Sequence, residues 1–391
     1  MTTRRASSAL SLVVWLAATV CGVAVPSVVE PSRDDEVVAL LPAVSGNRAE
    51  LRRLRQQLAA NPKAVEPAIA LAMRYLGEAR SQGDPRYAGL AFAALAAWPA
   101  PATAPDAVLL VQATLQQFVH DFDTTATNLE RLVARSPANA QGWLTLATVR
   151  RVQGRYAESD HACAHLTALD TGPAGLYALA CPAENDSLLG EFQRARDRIA
   201  GLLGGTRLDA PARNWLLTTL AESEARAGRP EQAEAAYQAA QAAQADPYTA
   251  LSYAGFLLDG KRPADALLQL RGQPRTDAVL LRLAIAGTQA GAAPARSDVA
   301  ELRQRMALAN QRPEARSAHA REGAMFALWL DKSPRRALEL ARENVKHQRE
   351  PLDLLVFAQA AAACQDTAAR REVAALTRAM GLRDKRIDAL L

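Results

Sequence analysis

The amino-acid sequence predicts an all-α protein, built as a solenoid of stacked helical hairpins. Apolar residues make up 49% of the 391 residues, whereas aromatic residues make up only 5%. Ala, the residue with the highest helix propensity, is the commonest apolar type. From Asn47 onward, amphipathic runs with a helical period alternate with short breaks that contain Gly or Pro. This alternation is typical of a helical repeat array.

The chain matches itself at a fixed offset of about 34 residues, a period that is typical of stacked helical units. Pairs at this offset are Leu109 and Trp143, Ala113 and Ala147, Phe122 and Tyr156, Leu129 and Cys163, and Leu132 and Leu166. Within residues 141–154, Trp143, Leu146 and Ala147 fall on one face of a helix. Gly154 then ends that helix and provides the turn to a second one. Each unit is therefore predicted to be a helix, a tight turn and a helix.

Residues 140–173 resemble the tetratricopeptide repeat family. The matching residues in the family register are Trp143, Leu146, Ala147, Gly154 and Tyr156. Three positions depart from the pattern: Ser159 replaces the usual Ala, the closing Pro is displaced to Pro173, and His120 stands where the preceding unit should have its turn Gly. The resemblance implies a right-handed superhelix with a concave groove, lined by the first helix of each hairpin, that holds a protein or peptide.

Degenerate units extend the resemblance over about residues 47–390. Their breaks fall at Gly83, Gly190, Gly228, Gly260, Gly291, Pro334 and Gln365. A stack of this kind buries its apolar faces between neighbouring hairpins, so we expect residues 47–391 to form one repeat domain.

The N-terminus has the pattern of a secretory signal peptide over residues 1–24. Arg4 and Arg5 precede an apolar run, and Gly22 and Ala24 are small residues at the positions that a signal peptidase reads. Residues 25–46 are predicted to be a linker. We therefore expect a periplasmic or secreted protein. An uncleaved membrane anchor and lipidation at Cys21 remain as alternatives.

The charge gives no case for nucleic acid as a partner. The formal net charge is +5, and Arg4 and Arg5 of the leader contribute two of these charges. Motifs for zinc proteases, serine hydrolases, phosphate loops and dinucleotide binding are all missing from the sequence. We therefore expect no enzyme and no cofactor.

One cluster of metal-ligand residue types occurs, in the run from His161 to His165. The two His are four residues apart and share a helix face, but Cys163 points roughly 200° away from both. No metal site is predicted.

Cys163 has a different predicted partner. It aligns with the core residue Leu129, and Cys181 aligns with Ala147 on the first helix of the next unit. Adjacent units pack through these helices, and the periplasm is oxidising. The sequence therefore predicts a disulfide between Cys163 and Cys181. Two buried thiols are the alternative reading, and Cys364 is expected to be a small core residue.

The repeat register also selects candidates for the groove. They are the inward-facing residues of the first helices: Gln117, Gln141, Arg151, Trp215, Glu222 and Tyr248. Amphipathic rings are common binding anchors, although each residue has the alternative role of capping the core. The predicted function is an exported scaffold for a protein or peptide. Alternatives are a membrane-attached or lipidated assembly factor, an enzyme with an unrecognised site and a cytoplasmic regulator.

Overall fold

The structure is a computed structural model. It describes residues 33, 36, 48–82, 86–169, 175–205, 207–293, 295–309 and 320–391. The contacts divide the chain between Gly46 and Asn47, and every described helix lies in the second unit. The predicted signal peptide, nearly all of the predicted linker and the predicted break at Gly83 lie outside the described residues.

The described part of the second unit contains twenty helices and no strand. The helices are α1 (Arg48–Ala60), α2 (Val65–Gln82), α3 (Arg86–Ala94), α4 (Asp106–Phe118), α5 (Phe122–Arg135), α6 (Ala140–Val152), α7 (Tyr156–Ala168), α8 (Gly175–Leu188), α9 (Phe192–Gly205), α10 (Ala210–Arg226), α11 (Pro230–Ala243), α12 (Pro247–Asp259), α13 (Pro263–Gln269), α14 (Asp277–Ala290), α15 (Ala295–Ala309), α16 (Ala320–Trp329), α17 (Pro334–Asn344), α18 (Pro351–Ala363), α19 (Thr367–Met380) and α20 (Lys385–Asp388). None of them combines the length and the apolarity that crossing a bilayer requires.

Helices α2 to α19 form nine consecutive hairpins, each with an even-numbered first helix and an odd-numbered second helix. The two helices of a hairpin pack against each other, and each hairpin packs against the next one along the chain. This arrangement confirms the predicted all-α solenoid of stacked hairpins.

A residue with left-handed backbone joins the two helices of eight hairpins. These residues are His120, Gly154, Gly190, Gly228, Lys261, Gly291, Lys332 and Gln365. A left-handed residue after a helix allows the last carbonyls of that helix to accept hydrogen bonds, and it reverses the direction of the chain. The sequence placed one of these breaks at Gly260, but Gly260 ends α12 with φ of −77° and Lys261 carries the positive φ.

Small residues set the distance between the two helices of a hairpin. In six hairpins the fourth residue of the second helix is small and has no exposed surface: Thr125, Ser159, Ala195, Ala233, Ala266 and Ala337. A larger side chain at such a close-packed crossing would force the helices apart. Ser159, a departure from the tetratricopeptide pattern, therefore keeps the packing role of the usual Ala.

The C-terminal part of the array returns to the middle hairpins. The backbone N–H of Arg383 donates to the carbonyl of Leu188 at 2.9 Å, and the N–H of Arg349 donates to that of Val152 at 2.7 Å. Tyr156 of α7 belongs to the same buried cluster as Ile387 of α20. The stack of hairpins therefore curves far enough for its end to contact its middle.

Three turn glycines form the surface on which this C-terminal segment lies. A Cβ atom at Gly154, Gly190 or Gly228 would lie 2.9 Å or less from a side-chain atom of Met380, Arg383 or Lys385 respectively. These glycines supply the left-handed turn of their own hairpins. They also leave the space into which residues 380–385 pack.

Candidate binding surface on the inner face

The first helices of five successive hairpins enclose a cavity of about 620 Å³, here called the central cavity. Its walls come from α10, α12, α14, α16 and α18, with Tyr237 from α11 and the C-terminal residues from Arg386 to Leu390. We call the side of the first helices that faces this cavity the inner face. It corresponds to the groove that the sequence predicts from the first helices.

The C-terminal end closes one side of the central cavity. A guanidinium nitrogen of Arg386 on α20 lies 3.5 Å from a carboxylate oxygen of Asp259 on α12. Gln359 of α18 reaches the other oxygen of the same carboxylate, also at 3.5 Å. Burial raises the pKa of Asp259, and the charge of Arg386 opposes that rise. Asp259 therefore links the middle of the array to its end.

Three aromatic residues, Tyr177, Trp215 and Tyr248, occupy equivalent positions on successive first helices. Each precedes the left-handed turn residue of its own hairpin by the same interval, since the turn residues are Gly190, Gly228 and Lys261. The ring centroids of Tyr177 and Trp215 are 5.0 Å apart, and Tyr248 lines the central cavity. Because the three share one register, they form a row along the inner face, here called the aromatic row.

The aromatic row is accessible. Tyr177 is 40% exposed and Tyr248 is 62% exposed, whereas Trp215 packs partly against the buried cluster around Leu216. Gln141 of α6 precedes Gly154 by the same interval and so continues the row with a polar side chain. Large amphipathic rings held on helices and open to solvent are suited to bind a partner.

A hydrogen-bond chain fixes the end of the row at the cavity wall. The hydroxyls of Tyr248 and Ser252 donate to the same oxygen of Glu222, at 2.8 and 2.7 Å. Since Ser252 has one proton to give, the Tyr237 hydroxyl donates to Ser252, at 2.9 Å. The negative charge of Glu222, foremost, raises the pKa of Tyr248 well above its usual value. The Tyr248 phenol is therefore a hydrogen-bond donor held in place by a carboxylate.

The cavity wall contains more positive than negative charge. Five basic residues line it (Arg226, Lys261, Arg282, Arg321 and Arg386) against three acidic residues (Glu222, Asp259 and Glu350). Arg321 is neutralised, because its guanidinium lies 2.8 Å from Glu350 and 3.3 Å from the buried Asp353.

Two of the cavity arginines are buried without an acidic partner among the described residues. Arg226 and Arg282 are each 7% exposed. Arg226 donates to the Ser187 hydroxyl at 2.6 Å, and Arg282 donates to the carbonyl of Ala278 at 3.2 Å. The Nε atom of each is buried and has no hydrogen-bond partner in the part of the chain that the structure describes. Burial lowers the pKa of Arg282 to about 10, so the guanidinium stays charged at neutral pH.

The structure places only two of the six predicted groove residues in the central cavity, namely Glu222 and Tyr248. Arg151 forms an ion pair with Glu184 of the next first helix at 2.6 Å. Gln141 is exposed and donates to the Thr145 hydroxyl at 3.2 Å. Gln117 is half-buried at the end of α4, and Trp215 stands in the aromatic row.

Sequence reasoning missed most residues of the site, including Tyr177, Arg226 and Arg282. Tyr177 has a signal in the sequence, since it precedes Gly190 by the same interval as Trp215 precedes Gly228. Arg226 and Arg282 have no such signal. Their importance comes from the absence of a salt bridge to them among the described residues, which depends on how the hairpins are arranged in space.

The structure joins Cys163 and Cys181 by a disulfide between α7 and α8, with Cα atoms 5.6 Å apart. Cys364 is free and half-buried.

His161 and His165 lie on the surface beside Trp143, and the His165 ring stacks on the indole with centroids 4.3 Å apart. Among the described residues no group of three metal-ligating side chains comes together.

Comparisons with known proteins find similarity in structure alone. No family model matches the chain, and no curated protein matches it. A tetratricopeptide repeat protein from Parabacteroides merdae is 11% identical, with a TM-score of 0.47, over 60% of this chain and 90% of that one. PilF from Pseudomonas aeruginosa is 15% identical, with a TM-score of 0.37, over 55% of this chain and 96% of that one.

The Cut9 and Hcn1 hetero-tetramer of the APC/C is a further similar structure, at 13% identity and a TM-score of 0.46, over 88% of this chain and 73% of that one. The helices of the chain define its class. It is an α-solenoid of stacked helical hairpins, which resemble tetratricopeptide repeats in their repeat offset, left-handed turns and small buried residues at the helix crossings.

Proposed function

We propose that the protein is an exported scaffold that binds a protein or peptide partner on its inner face. The observation that carries this proposal is the aromatic row. Tyr177, Trp215 and Tyr248 repeat at one register on three successive first helices. Binding, and not catalysis, is the role that such a row supports.

The spacing of the row suits an extended chain. Packed helices lie about 8 to 10 Å apart, so successive rings present anchors at intervals that an extended peptide spans in about three residues. Aromatic side chains of this kind contribute large contact areas at low entropic cost and dominate many interfaces. Folding alone does not require Tyr177 and Tyr248 to expose so much ring surface.

Paired affinity purifications from the native organism test the proposal. The baits are the wild-type protein, the double variant Tyr177→Ala and Tyr248→Ala, and the control variant Leu268→Ala. Leu268 is 56% exposed on the second helix α13, away from the row. The proposal expects a partner that co-purifies with the wild type and the control and is lost from the double variant. A partner retained equally by all three baits would contradict it.

Export rests on the pattern of residues 1–24 and is tested by N-terminal sequencing of the mature protein. A chain that begins at Val25 supports a soluble exported scaffold. A lipidated Cys21 or an intact leader would support the membrane-attached alternative, in which the same inner face binds its partner at a membrane.

A further inference from the structure

We propose that the central cavity is a binding site for an amphipathic organic anion. Its oxyanion head would lie against Arg226 and Arg282, and its body would contact the apolar walls. The site adjoins the aromatic row and shares Tyr248 with it, whereas Tyr177 and Trp215 do not line the cavity.

Among the described residues, neither arginine forms a salt bridge; Glu322 and Asp259 act on the charge of Arg282, and Arg226 acts on Glu184, beyond salt-bridge distance. Each acidic residue of the wall already has other partners: Glu222 accepts from two hydroxyls, Asp259 lies beside Arg386 and Glu350 lies beside Arg321. Among the described residues this leaves Arg226 and Arg282 as the wall cations that are buried without a carboxylate. A ligand with one negative group would offset part of their charge.

Burial of a charge without a partner destabilises a folded protein. Arg226 and Arg282 each keep a buried Nε with no acceptor, so the folded protein retains this cost twice within one cavity. A guanidinium binds an oxyanion through charge-assisted hydrogen bonds, which are among the strongest available to a side chain. An oxyanion in the cavity would pair with the positive charge of the guanidinium groups that line it.

The remaining walls favour an apolar body. Apolar side chains of α12, α14, α16 and α18 contribute to them, among which are Phe256, Ile285, Met325, Trp329 and Leu355. The volume of about 620 Å³ falls within the range of roughly 300 to 1,000 Å³ that is usual for small-molecule sites. A free inorganic anion would leave these walls empty, and an uncharged apolar molecule would leave the two arginines unpaired.

Calorimetric titration of the full-length mature protein with three probes tests the site. Decanoate has both a charged head and an apolar body. Decan-1-ol has the apolar body without the charge, and inorganic phosphate has the charge without the body. We expect decanoate to bind at least tenfold more tightly than either of the others. Equal affinity for decanoate and decanol, equal affinity for decanoate and phosphate, or no binding of decanoate would each overturn the proposal.

Two variants locate the binding of decanoate. Arg226→Met and Arg282→Met remove the charge and keep the length, and loss of one charge-assisted hydrogen bond predicts about tenfold weaker binding in each. Both should fold, because apolar replacement of an unpaired buried charge is neutral or stabilising. Arg336→Met is the control, since Arg336 is exposed and paired with Glu339. Decanoate affinity that is unchanged in both cavity variants, or that falls equally in the control, would place the binding elsewhere and contradict the proposal.

Discussion

Residues 106–168 and residues 210–388 are built from the same hairpin, yet their inner faces differ. In the first region, helices α4 to α7 follow the repeat offset most closely. No residue of that region lines the central cavity. In the second region the repeat pattern is weaker, yet its helices form nearly the whole cavity wall.

The difference shows that hairpin packing and use of the inner face are separate properties of the sequence. Ser159 in the first region and Ala233 in the second are both small and fully buried at helix crossings. By contrast, Arg226 and Arg282 are buried on first helices of the second region. Among the described residues of the first region, no buried arginine lacks an acidic partner. The two regions therefore share the residues that pack the hairpins, but not the residues that line the cavity.

The largest expected effect concerns the return of the C-terminal end. Ile387 is 1% exposed and packs in the cluster that includes Tyr156 and Phe357. Ile387→Ala should reduce the free energy of unfolding by about 3 to 4 kcal/mol, as for other buried large-to-small substitutions, measured by urea denaturation. Leu391→Ala, at a 40% exposed position, is the control. Equal stability of the two variants would mean that the C-terminal end contributes nothing to the stability of the second region.

The next effect concerns the first region. A disulfide between Cys163 and Cys181 closes a loop of 18 residues and should stabilise the fold by about 3 kcal/mol. The double variant Cys163→Ser and Cys181→Ser should lose that amount in urea denaturation without reductant, whereas Cys364→Ser should not. Alkylation of the unreduced, exported protein should modify Cys364 and leave Cys163 and Cys181 unmodified. Modification of Cys163 and Cys181 as well would show two buried thiols.

A matched pair of glycines separates turn strain from packing against the C-terminal segment. Gly190 and Gly291 both have positive φ, 86° and 67°, so an Ala at either costs about 1 to 2 kcal/mol. A Cβ at Gly190 would also lie 2.6 Å from Cγ of Arg383, whereas a Cβ at Gly291 meets no atom of the described residues within 4 Å. Gly190→Ala should therefore destabilise by about 2 kcal/mol more than Gly291→Ala. Equal losses of stability in thermal denaturation would contradict the packing of residues 380–385 against these turns.

The smallest effect concerns a buried charge in the second region that does have partners. Burial alone would raise the pKa of Glu224, but hydrogen bonds from Arg196 and Arg229 outweigh it and lower the pKa. A lowered pKa stabilises the folded state above the unfolded value of about 4.3, and the contribution is lost as the pH falls below it. Glu224→Gln should be about 1 kcal/mol less stable at pH 7, with the difference shrinking towards pH 3. A difference that does not change with pH would contradict this assignment.

Sequence periodicity was sufficient to predict the hairpins and their stacking, because both depend on contacts within one repeat unit or between neighbouring units. Trp215, Glu222 and Tyr248 were selected for the inner face by the same register, and two of them line the cavity. Gln117, Gln141 and Arg151 were selected with equal reason and lie outside it. Register assigns a side chain to a face, but it does not indicate where along that face the walls close.

The sequence by itself determined the repeating unit, most of the turn positions and the small residues at the crossings. Only the tertiary structure decided that Arg386 meets Asp259, that Arg383 meets Leu188 and that Arg226 and Arg282 share one cavity without an acid of their own among the described residues. The physical reason is accumulation: each hairpin is rotated slightly on its neighbour, and the sum of many small rotations sets which distant hairpins touch.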